Sequence, residues 1–327
     1  MSSVPYSRYL IGSVPWYSVL IVAGTVAAIC LACMEERRTD LPKDTVIDLA
    51  LWLLPFGIVG ARIYYVVFSW NQFRTDILSV FRIWEGGIAI YGGIIAGLIV
   101  LVIFSRIRKL SALQLCDLIA PGLVLAQSVG RWGNWFNIEA YGFTVSRPEL
   151  CFFPLAVQVP GDHYAWHLAA FFYESMWNLA VFIFLLIGRR KLFRHRGDVF
   201  FFYLFLYSAG RLVIEETRMD SLYAASGVRV SQLLGVLLCT GILVRYVILL
   251  RRDGRFPAVL RFFLLPGSLA VSGLALLYSL SFQLSFFGTR FRVLVFLSAY
   301  AVLMIISLFA VYFSISAQEV RNADNEA

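Results

Sequence analysis

Apolar residues in this chain come in long runs separated by short polar connections, with no sustained alternation of the kind that marks strands. A run of about 20 apolar residues rising about 1.5 Å each matches the hydrocarbon thickness of a bilayer. Nine such windows can be marked, at residues 16–34, 49–68, 87–104, 112–129, 166–187, 199–214, 230–250, 258–280 and 293–314. The fourth and sixth are among the shortest and carry internal polar residues. The pattern predicts an all-α polytopic membrane protein.

The connections differ in basic content, and in short loops that difference sets orientation. Those after the first, third, fifth and seventh windows carry Arg37, Arg38 and Lys43; Arg106, Arg108 and Lys109; Arg189 to Lys191, Arg194 and Arg196; and Arg251, Arg252 and Arg255. These loops are expected on the cytoplasmic side. With an odd number of spans, the N-terminus is then outside and the polar tail after Ser316 inside. On that topology Arg62, Arg131 and Arg211 fall near outer helix ends, Tyr17 and Tyr91 near outer helix starts, and Glu174 within the outer half of its helix. A polar chamber open toward the outer leaflet would gather all six.

Composition agrees with the windows. The 327 residues are 60% hydrophobic and 15% charged, where soluble proteins average about 45–50% and about 25%. A formal net charge of +8 would suggest nucleic acid in a soluble protein; here membrane orientation accounts for it and no nucleic-acid partner is expected. Five cysteines, an odd number, lie mostly in apolar runs and form no disulfide framework. Cys30 and Cys33 lack a surrounding βαβ pattern and read as buried bystanders. The first apolar run ends in Glu35, Glu36, Arg37 and Arg38, which is not a signal-peptide cleavage site.

The chemistry-bearing residues concentrate in few places. Residues 130–142 (GRWGNWFNIEAYG) put Arg131, Asn134, Asn137 and Glu139 where the chain leaves an apolar run. A charged side chain at the bilayer centre costs about 2.5–3.5 kcal/mol on insertion scales, so such an arginine needs a partner, a wet cavity or a ligand. Arg211, Glu215 and Arg218 share one helix face by their spacing, with Tyr207 one turn earlier. They form either an ion-pair set or, because two arginines outnumber one acid, a fork suited to phosphate. The run 84–93 (WEGGIAIYGG) is rich in glycine, which suits close helix packing or close approach of the backbone and Tyr91 to a ligand. Trp16, Trp84, Trp132, Trp135 and Tyr141 read as an interfacial aromatic belt. His163, His167 and His195 lack the pattern of a metal site, and no phosphate-cradling loop or nucleophile elbow is present. Neither metal nor cofactor is expected.

Residues 130–142 closely resemble the signature G-R-x-[GA]-N-F-x-N-x-E-x-x-G of the bacterial prolipoprotein diacylglyceryl transferases, with Trp135 in place of Phe. Further matches are Trp16-Tyr17, residues 60–66, Trp84 to Gly87, Tyr91 to Gly93, Tyr173-Glu174 and Arg211-x-x-x-Glu215-x-x-Arg218, so the resemblance spans about residues 8–250. It implies a multi-pass protein of the bacterial cell membrane. The implied reaction moves the diacylglyceryl group of phosphatidylglycerol to the lipobox cysteine of a preprolipoprotein, giving a thioether and glycerol phosphate. By the resemblance Arg131 and Arg211 serve the phosphate, Tyr91 and Glu215 join them as catalytic candidates, and Asn134, Asn137, Glu139, Gly142, Tyr17, Arg62, Glu174 and Arg218 bind or shape. Many members carry His where this chain has Tyr91, and a phenol with an ordinary pKa near 10 is a weaker base at neutral pH.

Residues 1–250 are then expected as the transferase core and 251–327 as an extension of two further spans and a polar tail. Those spans read as lipid-facing or partner-binding. The alternative reading is a permease or flippase for an anionic lipid or metabolite, which would also want arginines in a polar chamber. A transporter should show polar residues through the full membrane depth, whereas these gather at one side. A membrane anchor for a complex would have no need of costly arginines.

Overall fold

The computed structural model describes residues 7–219, 229–252 and 290–326. A short hairpin of β1 (Tyr9–Ile11) and β2 (Val14–Pro15) runs into α1 (Trp16–Glu36). Then come α2 (Thr45–Phe68), the single-turn α3 (Trp70–Phe73), α4 (Ile90–Ile107) and α5 (Ala112–Asn137). A second antiparallel hairpin, β3 (Ala156–Val159) with β4 (Ala165–Leu168), precedes α6 (Ala170–Lys191), α7 (Asp198–Thr217), α8 (Val230–Arg252) and α9 (Arg290–Glu326).

Among the described residues, seven helices are long and apolar enough to cross a membrane: α1, α2, α4, α5, α6, α8 and the Leu297–Ile315 part of α9. The protein is an all-α polytopic membrane protein, as its apolar runs predict. The window at 199–214 does form a helix, α7, of 20 residues, but it is not one of the seven. Its acids and bases, Asp198, Arg211, Glu215 and Glu216, lower its apolarity. The window at 258–280 lies outside the described residues. Trp166, expected to open the fifth span, sits in β4, and the helix begins at Ala170.

The chain groups into two compact units, one of Met1–Gly24, Val124–Ile187 and Phe201–Ala327, the other of Thr25–Leu123 and Gly188–Phe200. In the second unit α2 and α4 cross at small residues. A Cβ on Gly92 would lie 3.0 Å from Ala61 Cα and closer still to the Gly60 carbonyl, so the crossing requires glycine there, the small-residue packing common between membrane helices. The same unit is tied together by Asp117 of α5. Its carboxylate accepts the backbone N–H groups of Gly197 at 2.5 Å and Phe200 at 2.9 Å, which satisfies donors that the start of α7 would otherwise leave unpaired.

In the first unit Trp177 of α6 lies against Gly210 of α7 and donates its indole N–H to the Leu206 carbonyl at 2.9 Å. Ser128 of α5 and Ser175 of α6 exchange hydrogen bonds, each hydroxyl donating to the other's backbone carbonyl at 2.8 and 2.9 Å. Helix α9 is built into this core. Phe309 packs between Phe184 and Phe202 at centroid distances of 5.6 and 5.5 Å, and Tyr312 contacts Phe202 and Tyr246. Its apolar residues at helical spacing (Tyr300, Met304, Leu308, Val311, Ile315) are buried, while Val302, Ile306 and Phe313 stay exposed. A lipid-facing reading therefore describes only one side of α9. The polar tail expected after Ser316 continues the same helix to Glu326.

Candidate functional site

Helix α5 runs on to Asn137, so Arg131, Asn134 and Asn137 project from its last turns instead of from a loop. Glycine and asparagine lower helix propensity there, but packing overrides it. Trp132 sits edge-on to Trp135, Phe171 and Phe172, and Phe136 stacks on Trp16 at 5.0 Å. Tyr17, one residue into α1, packs directly on Gly133.

Glu174 of α6 is the centre of the charged cluster, 2% exposed. One oxygen meets Arg131 Nη2 at 2.6 Å. That oxygen accepts no aligned hydrogen bond, so the pair is a charge contact. The other oxygen accepts from Arg211 Nη1 at 2.7 Å and lies 3.9 Å from Arg218 Nη1. Arg211 also reaches Glu215 at 2.7 Å, the i, i+4 pair that the spacing predicts. The hydroxyl of Tyr207 lies within electrostatic reach of Arg131 and Arg211. Three arginines from α5, α7 and the α7 exit thus face two buried carboxylates. The side chains of Arg131 and Arg211 remain 22% and 17% exposed, so both guanidinium groups are reachable.

The exit of α7 is held by a second charge set. Arg229 donates to the Glu215 carbonyl at 2.5 Å and to the Glu216 carboxylate at 2.8 Å, and Gln232 of α8 donates to Glu216 as well. Adjacent glutamates therefore face opposite ways, Glu215 into the arginine cluster and Glu216 into the packing with α8. Nothing in the sequence pattern distinguished Glu216 and Arg229 beforehand, because their pairing joins segments that are separate in the chain.

Gly142 closes the signature. It pairs in an antiparallel bridge with Arg218, its N–H donates to the Leu168 carbonyl at 2.8 Å, and Phe143 N–H donates to the Thr217 carbonyl at 3.0 Å. A Cβ on Gly142 would lie 2.6 Å from the Thr217 oxygen, so only glycine fits. Buried His167 places Nδ1 2.9 Å from the Gly142 carbonyl and Nε2 2.9 Å from the Asp162 carboxylate. It braces this turn.

Glu139 stands apart from the arginine cluster. Its Oε1 accepts from the side-chain amides of Asn134 at 2.9 Å and Asn137 at 3.2 Å, and Asn137 in turn accepts from Arg8 at 3.1 Å. Among the described residues Glu139 forms no ion pair, and it is exposed.

Arg62 and Tyr91 belong to the other unit, where each has surroundings of its own. Arg62 is 7% exposed, and all its N–H donors meet backbone carbonyls of the segment before α4. These are Val80 at 2.9 Å, Gly86 and Gly87 at 2.6 and 2.8 Å, Ser79 at 2.6 Å and Arg82 at 3.3 Å. Gly86 and Gly87 take φ of +91° and +76°, values that favour glycine, and so present both carbonyls to it. The glycine run thus serves a turn and a helix crossing. Tyr91 lies in the first turn of α4, and its hydroxyl makes no hydrogen bond to a described residue.

Membrane-crossing helices surrounding a buried set of arginine forks and carboxylates define an integral membrane protein with a polar site among its apolar helices. The chain belongs to the prolipoprotein diacylglyceryl transferase family, whose profile matches residues 8–248. It is 43% identical over 248 residues to the phosphatidylglycerol–prolipoprotein diacylglyceryl transferase of Streptococcus suis, covering 74% of this chain and 90% of that one. The protein of the same description from Listeria monocytogenes is 43% identical over 229 residues, 69% of this chain and 82% of that one. That from Limosilactobacillus reuteri is 41% identical over 256 residues, 75% and 90% respectively.

Proposed function

We propose that this chain transfers the diacylglyceryl group of phosphatidylglycerol to the lipobox cysteine thiol of preprolipoproteins, forming a thioether and releasing glycerol phosphate. The observation that carries the reading is the convergence of Arg131, Arg211 and Arg218 on Glu174. A lipid phosphate diester leaving from an sp3 carbon gains negative charge as the C–O bond breaks. Guanidinium donors in a low-dielectric site stabilise that charge. Glu174 and Glu215 hold the forks in place before the lipid arrives, so little reorganisation remains at the moment of reaction. Arg131 takes the head-group phosphate, Arg211 and Arg218 assist it, and Tyr17, Asn134, Asn137, Glu139 and Gly142 shape the wall around it. Arg62 acts through the loop it clamps. No observation favours the permease reading.

The site faces the outer leaflet of a bacterial cell membrane and the N-terminus lies outside, with residues 1–250 as the transferase core. The distribution of basic loops supports this orientation. External cysteine labelling tests it: Arg147→Cys should react and Arg194→Cys should be protected, and the reverse would invert it. The activity is tested by incubating purified protein with labelled phosphatidylglycerol and a lipobox peptide. Label should pass to the peptide thiol, and Arg131→Ala should abolish the transfer. Absence of transfer by the parent protein, or full turnover by Arg131→Ala, would overturn the reading.

A further inference from the structure

Proton transfer is the step that the arginine cluster does not supply. The thiol must lose its proton, because the thiolate is the nucleophile, and three carboxylates stand near the signature. Glu174 and Glu215 are each 2% exposed and each lies against a guanidinium. Protonating either would leave arginines uncompensated in an apolar interior, which is costly. Glu139 differs on every count. It forms no ion pair with a described residue, it is exposed, and two asparagine amides fix one of its oxygens while the other accepts from no described residue.

The backbone adds an independent observation. Ile138 and Ala140, on either side of Glu139, both take a φ of +56°. Two non-glycine excursions into the left-handed region flanking one residue, one of them at a β-branched residue, cost about 1–2 kcal/mol each. Such strain persists where surrounding structure demands it, and it clusters at functional sites. Here the demand comes from the Asn134 and Asn137 amides on the Glu139 carboxylate, and from the Glu139 N–H donating to the Asn134 carbonyl at 3.0 Å. The groups facing Glu139 are Asn134 and Asn137 of α5, Arg8 through Asn137, and Tyr17 of α1, which lies within electrostatic reach of both Glu139 and Arg131. Tyr141 lines the same small cavity as Glu139 and Asn134.

We infer that Glu139 is the general base that takes the proton from the lipobox cysteine thiol, an inference that rests on the transferase reading. The Sγ–H proton passes to the Glu139 carboxylate, the sulfur electron pair forms the S–C bond at the lipid glycerol carbon, and the C–O bond to phosphate breaks. Glycerol phosphate leaves with that electron pair beside Arg131 and Arg211, and Glu139 returns its proton to solvent. Asn134 and Asn137 aim the carboxylate. Tyr91 is not needed as a base.

The test compares purified parent and Glu139→Gln proteins on labelled phosphatidylglycerol and a lipobox peptide between neutral and alkaline pH. At neutral pH Glu139→Gln should lose about 10²–10⁴-fold in kcat, with KM for the lipid little changed. The deficit should shrink as pH approaches the thiol's own ionisation near about 8.5. A peptide carrying selenocysteine, whose selenol is already ionised at neutral pH, should restore turnover to the variant. Near-parental turnover of Glu139→Gln at neutral pH overturns the inference. So does a loss that neither alkaline pH nor the selenol lifts, since that would mark Glu139 as structural. Failure of the parent protein to transfer label would instead sink the transferase reading itself.

Discussion

Arg62 and Arg131 are both set in membrane helices, yet their donors are used in opposite ways. Arg62 places its donors on five backbone carbonyls of its own unit. Arg131 meets one Glu174 oxygen in a charge contact without an aligned hydrogen bond, and lies within electrostatic reach of the Tyr207 hydroxyl. A guanidinium carries five donors in a fixed plane, so the first is saturated and the second is not. The comparison shows that an arginine in an apolar helix is no evidence of a ligand until its donors are followed to their partners. Charge alone would have ranked the two equally.

The largest effect is expected at the carboxylate that holds the unsaturated side together. Glu174→Gln leaves Arg131, Arg211 and Arg218 facing one another without their shared counter-charge. Removing one member of a buried pair typically costs about 3–5 kcal/mol, so the variant should melt well below the parent. If the cluster is an anion site, phosphatidylglycerol should restore part of the lost melting temperature and a zwitterionic lipid should not. Equal rescue by both lipids would break the reading of the cluster as a phosphate site.

Next in size is Arg131→Lys, which keeps the charge but loses the fork. Turnover is expected to fall by about 10²–10³-fold, the range for removing one aligned donor from a developing anion, with melting unchanged. Arg62→Lys should do the opposite. Three donors cannot serve five carbonyls, and each buried group left unpaired costs about 1–3 kcal/mol, so melting falls and limited proteolysis opens residues 77–87, while the folded fraction still turns over. If Arg62→Lys matched Arg131→Lys in activity at full stability, the division between a clamp and a site would fail.

Much of this was legible in the sequence, and the exceptions share a cause. The apolar runs located the membrane helices because hydrophobic length is a local property, and the Arg211–Glu215 contact followed from spacing along one helix. The apolar run ends at Val129 while α5 continues to Asn137, because glycine and asparagine weaken a helix locally and the aromatic packing of Trp132 and Phe136 that restores it is tertiary. The use of Arg62 was hidden for a different reason. Its partners are carbonyls 17 to 25 residues away, and a backbone acceptor leaves no mark on residue identity. The packed side of α9 was missed because one apolar helix offers the same residues to lipid and to protein.

Tyr91→Phe is expected to have the smallest effect, and for that reason it discriminates well. As a polar residue in the first turn of α4, Tyr91 invites the role of base, yet its hydroxyl has no described partner that would draw off a proton. A phenolic O–H must give up its own proton before its oxygen can receive one from a thiol. If Glu139 is the base, Tyr91→Phe should keep turnover within a few-fold of the parent across the pH range, and its profile should keep the parent's shape. If Tyr91 is the base, Phe should remove the activity at all pH values short of thiol ionisation, as Glu139→Gln is expected to do. Measuring both variants on one batch of lipid and peptide assigns the proton to one side chain or the other.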